Sequence, residues 1–575
     1  MQHMSLAGEQ RLQARWLHPK PVDPSVIGAL TEALQVSPLV CTLLAARGYA
    51  DIDQAKRFLR PRLDQLHDPA LMTGMDCAVD RLSRAIGAGE PILVHGDYDV
   101  DGMCSTTILT RTIRSLGGIA HAFIPHRLTD GYDLGEAGVR AARAAGARVV
   151  VTCDCGTSAH AAVRSLAAQG IDVIITDHHL PSQAPPQCLA ILNPRVPGNA
   201  YPDKDLCAAG VVFKLAIALL TANHANASFA FRMLDLVALA TVADVAPLRG
   251  ENRVMVRYGL RLLRETQHAG LRALLMSSGL DEKEITAGRV GFILAPRLNA
   301  VGRIGNAMRG LELLMTDDMT RAMDIARELE ELNRARQDLD RETLVEVRET
   351  AARQVAEGRY GLVASSERWH PGVIGIVASR IVEEFNRPTM MIAVQDGIGK
   401  GSGRSIGAFD LHAGLSACAD LLTRYGGHRA AAGVTIDPAR IDAFAQRFAD
   451  VARDRLSPDD LVPEVRVDLV VGIDDANSEL EQVLRYFEPY GMGNPAPTMQ
   501  TDGVRLVGAP RAIGDRGMRM RFQTGTGTLD AVWWGANGRV AELRAGVDYA
   551  VAFRLELDTW FTPPRLTARI LDVRT

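Results

Sequence analysis

Over the first half of the chain, short apolar runs alternate with patterns of helical period. Strand-like runs at 91–95, 119–125, 148–152 and 171–176 are separated by helical patterns near 103–116, 136–145 and 157–169. Apolar strands alternating with helices of this length predict parallel βαβ units. From 311 to 357 there is neither Gly nor Pro, and Ala322, Ile325, Leu329, Leu332, Leu339 and Leu344 recur amid dense Arg and Glu. That pattern predicts a long amphipathic helix joining two domains. A second α/β segment is predicted after it, with strands near 361–365 and 388–394, a helix near 373–385, and glycine-rich turns at 399–403 and 425–433. Beyond about 463 the texture changes to short β-rich runs at 504–507, 518–522, 529–534, 549–557 and 566–573. Such runs suit a small closed barrel.

A chain of 575 residues is too long for one core. The expected division is an N-terminal extension at 1–45 with no assignable role, a parallel-sheet α/β domain at 46–310, the connecting helix at 311–357, a smaller α/β domain at 358–460, and a β-barrel at 461–575. The true start codon is left open between Met1 and Met4. Apolar content of 47% with 23% charged residues describes an ordinary globular protein. No apolar run reaches membrane-spanning length, and the start has no basic segment followed by an apolar stretch, so neither a membrane span nor a secretory signal is expected. The eight scattered cysteines read as reduced, small, buried residues of a cytoplasmic protein. A net charge of −4 gives no global attraction to nucleic acid, so any such binding must come from a local basic groove.

Carboxylates and histidines then change the picture. His95-Gly-Asp97-Tyr-Asp99-Val-Asp101-Gly102 follows the first strand, Asp154 the third and Asp177-His178-His179 the fourth, while Asp244 ends a helix-like run at 229–242. Ligands of a parallel sheet bind beyond the carboxyl ends of its strands. Residues two apart on an extended segment share a face, so His95, Asp97 and Asp99 can act together. Any one Asp after a strand is more often a helix cap. The succession of motifs at successive strand ends favours a hard, oxygen-rich site for two divalent cations, Mn2+ or Mg2+, and six or seven such ligands suit a pair if one carboxylate bridges. The ions would polarise a phosphate ester and acidify water.

Taken together, Gly96–Gly102, Thr176-Asp-His-His-Leu-Pro181, Ala240-Thr-Val-Ala-Asp-Val-Ala-Pro247, Pro296-Arg-Leu-Asn-Ala-Val-Gly-Arg303, Gly401-Ser-Gly-Arg-Ser405 and Tyr425-Gly-Gly-His428 resemble the RecJ exonucleases of the DHH phosphoesterase superfamily. The resemblance runs from about residue 45 to the end. It implies a DHH domain, a DHHA1 domain and a C-terminal OB-fold, the last entered through 487–497. It implies 5′→3′ degradation of single-stranded DNA to 5′-mononucleotides in repair and recombination, by a monomer working beside a single-strand-binding protein and a helicase. Carried over residue by residue, His95, Asp97 and Asp154 would hold one ion, and Asp99, Asp154, His178 and Asp244 the other. His179 would contact the scissile phosphate, Asp177 would orient a ligand, and Asp101 would support the loop. Ser402 and Arg404, read as a turn suited to a phosphate, would hold the 5′-phosphate with Arg127 and Arg303, and His428 would face the metals. Trp533, Trp534, Trp560 and Phe561 would fill the barrel or stack on bases. Two departures stand out: the family often has Asn where this chain has Cys155, and Gly where it has Asp133, neither expected to touch a ligand. The alternative is a small-molecule DHH phosphoesterase acting on cyclic dinucleotides or pyrophosphate.

Overall fold

The apolar runs between 91 and 176 do fold as parallel strands. A computed structural model describes residues 14–127, 129–181, 184–514, 517–525, 527–536, 539–558 and 561–575. Trp560, Met1 and Met4 lie outside the described residues. The chain forms two units: Asp53–Arg334 with Tyr486–Ala496, and Met1–Ile52 with Ala335–Arg485 and Pro497–Thr575.

In the first unit a five-stranded parallel sheet runs in the order Ala120–Phe123, Ile92–Gly96, Val149–Cys153, Asp172–Thr176, Ala190–Leu192. The fifth, three-residue strand is too short to stand out in the sequence. The two central strands Ile92–Gly96 and Val149–Cys153 are buried along their whole length, as apolar strands covered on both faces must be. Strand order reverses between them, which makes their carboxyl ends a topological switch point. The helices Ala208–Ala222 and Leu234–Ala243 are apolar nearly all round and correspondingly buried.

Segment 486–496, overlapping the stretch 487–497 read as the entry to the barrel, packs within this unit. The Arg253 guanidinium lies 4.0 Å from the Phe58 ring centre and donates to the carbonyls of Phe58, Phe487 and Tyr486 at 3.0, 2.8 and 2.9 Å. The Leu248 amide donates to Met492 O at 2.7 Å, four residues beyond Asp244.

The long helix begins later than its pattern suggests. It spans Met319–Ala356 and is preceded by a separate helix, Met308–Met315. The break falls at 316–318, where the Asp318 carboxylate accepts from the amides of Thr320 and Arg321 and so starts a new helix.

In the second unit a five-stranded sheet runs Arg424–Gly427, Ala431–Ile436, Ile398–Arg404, Thr389–Gln395, Leu362–Ser366. The segment 399–403, read as a glycine-rich turn, is the middle of its central strand, and 425–433 is mostly a hairpin's two arms. The glycines mislead because they alternate. A Cβ at Gly399, Gly401 or Gly403 would meet Ile436, Val434 or Met390 at 2.8, 2.5 and 2.6 Å, so they make room on one face for bulky neighbours.

The C-terminal sheet has seven strands in the order Leu469–Val470, Met499–Leu506, Asp548–Asp558, Arg565–Arg574, Gly527–Trp534, Gly517–Thr524, Arg511–Ile513. An added pairing between Met499–Leu506 and Gly517–Thr524 curls it into a barrel. Within this unit the N-terminal extension has a role invisible in the sequence. Arg15–Leu17 pairs in parallel with Glu464–Arg466, and the buried Trp16 indole donates to the buried Asp572 carboxylate at 2.7 Å. Trp16→Ala removes that packing and one of the partners of Asp572. It is expected to destabilise the barrel by about 3 kcal/mol, read as faster amide exchange in 548–558 and 565–574, with Trp16→Phe milder.

Candidate metal centre

Register fixes the site. Gly96 pairs with Cys153 and Cys153 with Thr176, so the next residues, Asp97, Asp154 and Asp177, leave three adjacent strands in one row. Each motif is then shaped locally. Asp99 caps the helix Val100–Ser115 through its Oδ1, which accepts from the Gly102 amide at 3.0 Å. Gly102 lies so close under the loop that a Cβ there would stand 2.4 Å from Asp97 O. From the other side, Asn299 accepts from the Val100 amide at 3.3 Å, and a Cβ at Gly302 would be 2.3 Å from Tyr98 O. Asp154 adopts a left-handed φ of +67°, uncommon for a non-glycine residue.

Three groups of donor atoms lie within 4.8 Å of one another: Asp97, Asp99 and Asp154; Asp101, His178 and Asp244; Asp154, His178 and His179. His178 Nε2 is 3.3 Å from Asp154 and 3.8 Å from Asp244. Asp101 also fastens the next helix, its two oxygens accepting from the Ala208 and Ala209 amides at 2.7 and 2.8 Å. His95 is buried at its strand end but stands outside these groups. Buried polar atoms ordinarily find a partner. Here, among the described residues, His95 Nε2, Asp97 Oδ1, Asp154 Oδ1 and His178 Nε2 are buried without a hydrogen bond, the last two facing each other at 3.3 Å. Unpartnered oxygens and imidazole nitrogens converging on one place are the donor set of a hard divalent cation, and the residues fit it.

Protonation supports the same assignment. Burial, then the charge of Asp99, pushes Asp97 well above the carboxylate range. Burial, then Asp101 and Asp99, does the same to Asp154 and Asp244. Burial and Asp99 lift Asp101 to about 7. Burial lowers His95 to about 4, and burial with the charge of His179 lowers His178 to about 3, so both rings are neutral at pH 7 and can ligate. His179 differs. Burial would lower it, but its hydrogen bond to Asp177, 2.8 Å from Nδ1, outweighs that and raises it to about 9. It is a cation whose Nδ1 is already committed, unsuited to ligation and suited to an anion. Asp177 itself is fully used: besides His179 it accepts from the amides of His178, His179 and Thr157, and despite burial these hold it well below the usual range.

The remaining sequence-derived residues divide between the units. Arg127 lies 5.0 Å from the Tyr98 ring centre in the metal-bearing unit, and Arg303 sits on the helix Ala295–Ile304 that packs against Tyr98. Ser402, Arg404 and His428 belong to the other unit. There the Arg404 guanidinium donates to Ser402 Oγ at 3.2 Å, and a Cβ at Gly375, in the first turn of Ile374–Phe385, would meet both side chains. His428 sits between the hairpin arms, its amide donating to Ala431 O at 2.8 Å. The reading of Gly401–Ser405 as backbone donors for a phosphate is corrected, since that backbone is in the sheet ladder.

Sequence reasoning passed over Tyr132, whose hydroxyl lies 3.3 Å from His179 Nδ1. It also set aside the two departures as remote from the ligands. Cys155 Sγ is 3.6 Å from His95 Nδ1, and Asp133 accepts from the Gly156 amide at 2.7 Å.

Comparison with known proteins matches the same architecture. The DHH family N-terminal domain matches residues 91–241, the DHHA1 domain 358–454, and the RecJ OB domain 467–572. The single-stranded-DNA-specific exonuclease RecJ of Bacillus subtilis (strain 168) is 36% identical over 553 residues, covering 95% of this chain and 69% of its own. That of Escherichia coli (strain K12) is 34% identical, with 88% and 91% covered. The chain belongs to the RecJ family. The fold agrees: the crystal structure of Thermus thermophilus RecJ with Mn2+ superposes with a TM-score of 0.84 at 32% identity, covering 98% of this chain and 79% of that one. The Mg2+ complex gives 0.78 at 30% identity, covering 98% and 78%. Among the described residues no single helix is long and apolar enough to cross a membrane.

Raised carboxylate pKa values in the metal-free protein fix the sign of its pH response. Protonated carboxyls favour the empty fold below about pH 4, and that contribution is lost as pH climbs through their folded values, about 7 for Asp101. Metal-stripped protein is therefore expected to melt at lower temperature at pH 8 than at pH 6. Mn2+ should bind tighter and stabilise more at pH 8, with proton release visible in calorimetry as a heat that depends on buffer ionisation.

Proposed function

We propose that this chain degrades single-stranded DNA from its 5′ end, releasing 5′-mononucleotides by two-metal hydrolysis, as a cytoplasmic monomer in repair and recombination. A single-strand-binding protein and a helicase that supplies unwound DNA are the partners this implies. The observation that carries the reading is the row Asp97, Asp154, Asp177 at the switch point, with four buried, unpartnered donor atoms around it. His95, Asp97 and Asp154 would hold one ion; Asp99, Asp154, His178 and Asp244 the second. Asp154 belongs to two of the three donor groups, which suits a bridge.

Divalent cations in that place supply Lewis-acid charge to the phosphate and acidify water. The chain's own residues do the rest. Neutral His95 and His178 present lone pairs, and Asp177 holds His179 protonated so that its remaining N–H can bond a phosphate oxygen as charge develops. Ser402 and Arg404, beside the first turn of Ile374–Phe385, suit the 5′-terminal phosphate, because a helix N-terminus and a guanidinium both favour an anion. Arg127 and Arg303 would assist, and His428 would act near the scissile phosphate.

Digestion with Mn2+ of 5′-labelled and 3′-labelled single strands, beside duplex DNA, tests the reading. Labelled mononucleotide should appear at once from the 5′-labelled strand only and be abolished in Asp154→Ala. Hydrolysis of a cyclic dinucleotide or pyrophosphate with DNA left intact would move the protein to the small-molecule branch. Within the same assay His179→Ala should lower kcat by about 100- to 1,000-fold while Mn2+ binding is retained, whereas Asp154→Ala should lose both.

A further inference from the structure

Segment 154–157 is short and buried; the Asp154 amide donates to Thr176 O at 3.0 Å, and side chains supply most of its other bonds. Thr152 Oγ1 donates to Cys155 O at 2.7 Å, and the Thr157 amide donates to Asp177 at 3.1 Å. The Gly156 amide donates to Asp133 Oδ1 at 2.7 Å, and the same oxygen accepts from the Leu134 amide at 2.8 Å. Asp133 is itself in the left-handed region, at φ +78°, so its backbone bears strain to bring the carboxylate there. Next to it, the buried Cys155 thiol meets His95 twice, 3.6 Å from Nδ1 and 4.0 Å from its carbonyl oxygen. With the S–H aimed at that carbonyl, sulfur is left to accept the Nδ1 proton. The ring then carries its lone pair on Nε2, the buried nitrogen without a partner. A Cβ at Gly138 would stand 2.6 Å from Cδ2 and 2.8 Å from Nε2 of the ring, so the helix backbone packs closely against the imidazole.

We propose that Cys155 and Asp133 are positioning residues of the metal centre. Cys155 fixes the tautomer and tilt of His95, and Asp133 holds the turn that carries Asp154. The inference rests on His95 and Asp154 being ligands as proposed above. Partners of this kind are worth about 10- to 100-fold in metal affinity.

The test titrates metal-stripped full-length protein with Mn2+, following free Mn2+ by electron paramagnetic resonance, and measures activation by Mn2+ alongside. Cys155→Ala and Asp133→Ala should weaken Mn2+ binding about tenfold or more and raise the Mn2+ concentration needed for activity, with kcat at saturating Mn2+ near the parent value. Cys155→Ser, which keeps a donor and an acceptor, and Asp133→Asn, which keeps Oδ1, should recover most of the affinity. Asp133→Gly adopts the left-handed φ without strain, so its loss of affinity, in protein that melts as the parent does, reports the missing carboxylate. Parent-like Mn2+ binding in Cys155→Ala and Asp133→Gly, with His95→Ala impaired, would overturn the inference and leave the ligand assignment standing. Parent-like binding in His95→Ala would overturn the ligand assignment and the role of Cys155 with it.

Discussion

Asp97, Asp101 and Asp154 are buried beside the half-buried Asp99 and Asp244, and each buried charge left uncompensated costs several kcal/mol. The ion pairs of Asp101, Asp154 and Asp244 are with histidines, while Arg127 and Arg195 add a charge effect on Asp97 and Asp244. A fold assembled only for stability would place a guanidinium there, as this one does for Asp172 beside Arg81 on the same sheet. The centre instead stays anionic and is discharged by protons or by cations. The surrounding architecture supplies the rigidity that such a cluster needs, through strands buried end to end and helices buried on nearly every side.

That rigidity is delivered through backbone amides rather than through ion pairs. Asp101 fastens the helix Ala208–Ala222 by its first two amides, Asp177 gathers three amides of its own and the neighbouring loop, and Asp99 caps a helix with one oxygen. Capping and ligation are therefore not competing explanations for these aspartates. Asp99 caps with Oδ1 and keeps its second oxygen for other partners, whereas Asp101 and Asp177 use both oxygens to hold neighbouring amides.

Much of this was legible in the chain. The four apolar runs and the acidic motifs after them are local signals, and strand register converts their order into a row of side chains. What escaped was non-local or compensated. Gly399, Gly401 and Gly403 read as a turn because glycine is a turn former, yet their period of two was the visible trace of a strand packed under Ile436, Val434 and Met390. Trp16 offered no clue because its partner, Asp572, lies at the far end of the chain. Asp133 and Cys155 were not expected to touch a ligand because the sequence does not show that the thiol faces the His95 ring or that the Asp133 carboxylate reaches the Gly156 amide.

His178 and His179 show how little separates opposite chemistries. They are adjacent, with ring centres 4.5 Å apart. His178 is buried and His179 partly so, and burial lowers both. Only the His179 ring reaches the Asp177 carboxylate, and that hydrogen bond, with the charges of Asp177, Asp244 and Asp99, carries it to about 9, while its neighbour, lowered by burial and then by the charge of His179, falls to about 3. The charged ring thus helps keep the other neutral, and a neutral ring is what a cation requires. An Asp-His-His sequence therefore yields one ligand and one anion-binding group because the aspartate can reach forward to only one of the two rings.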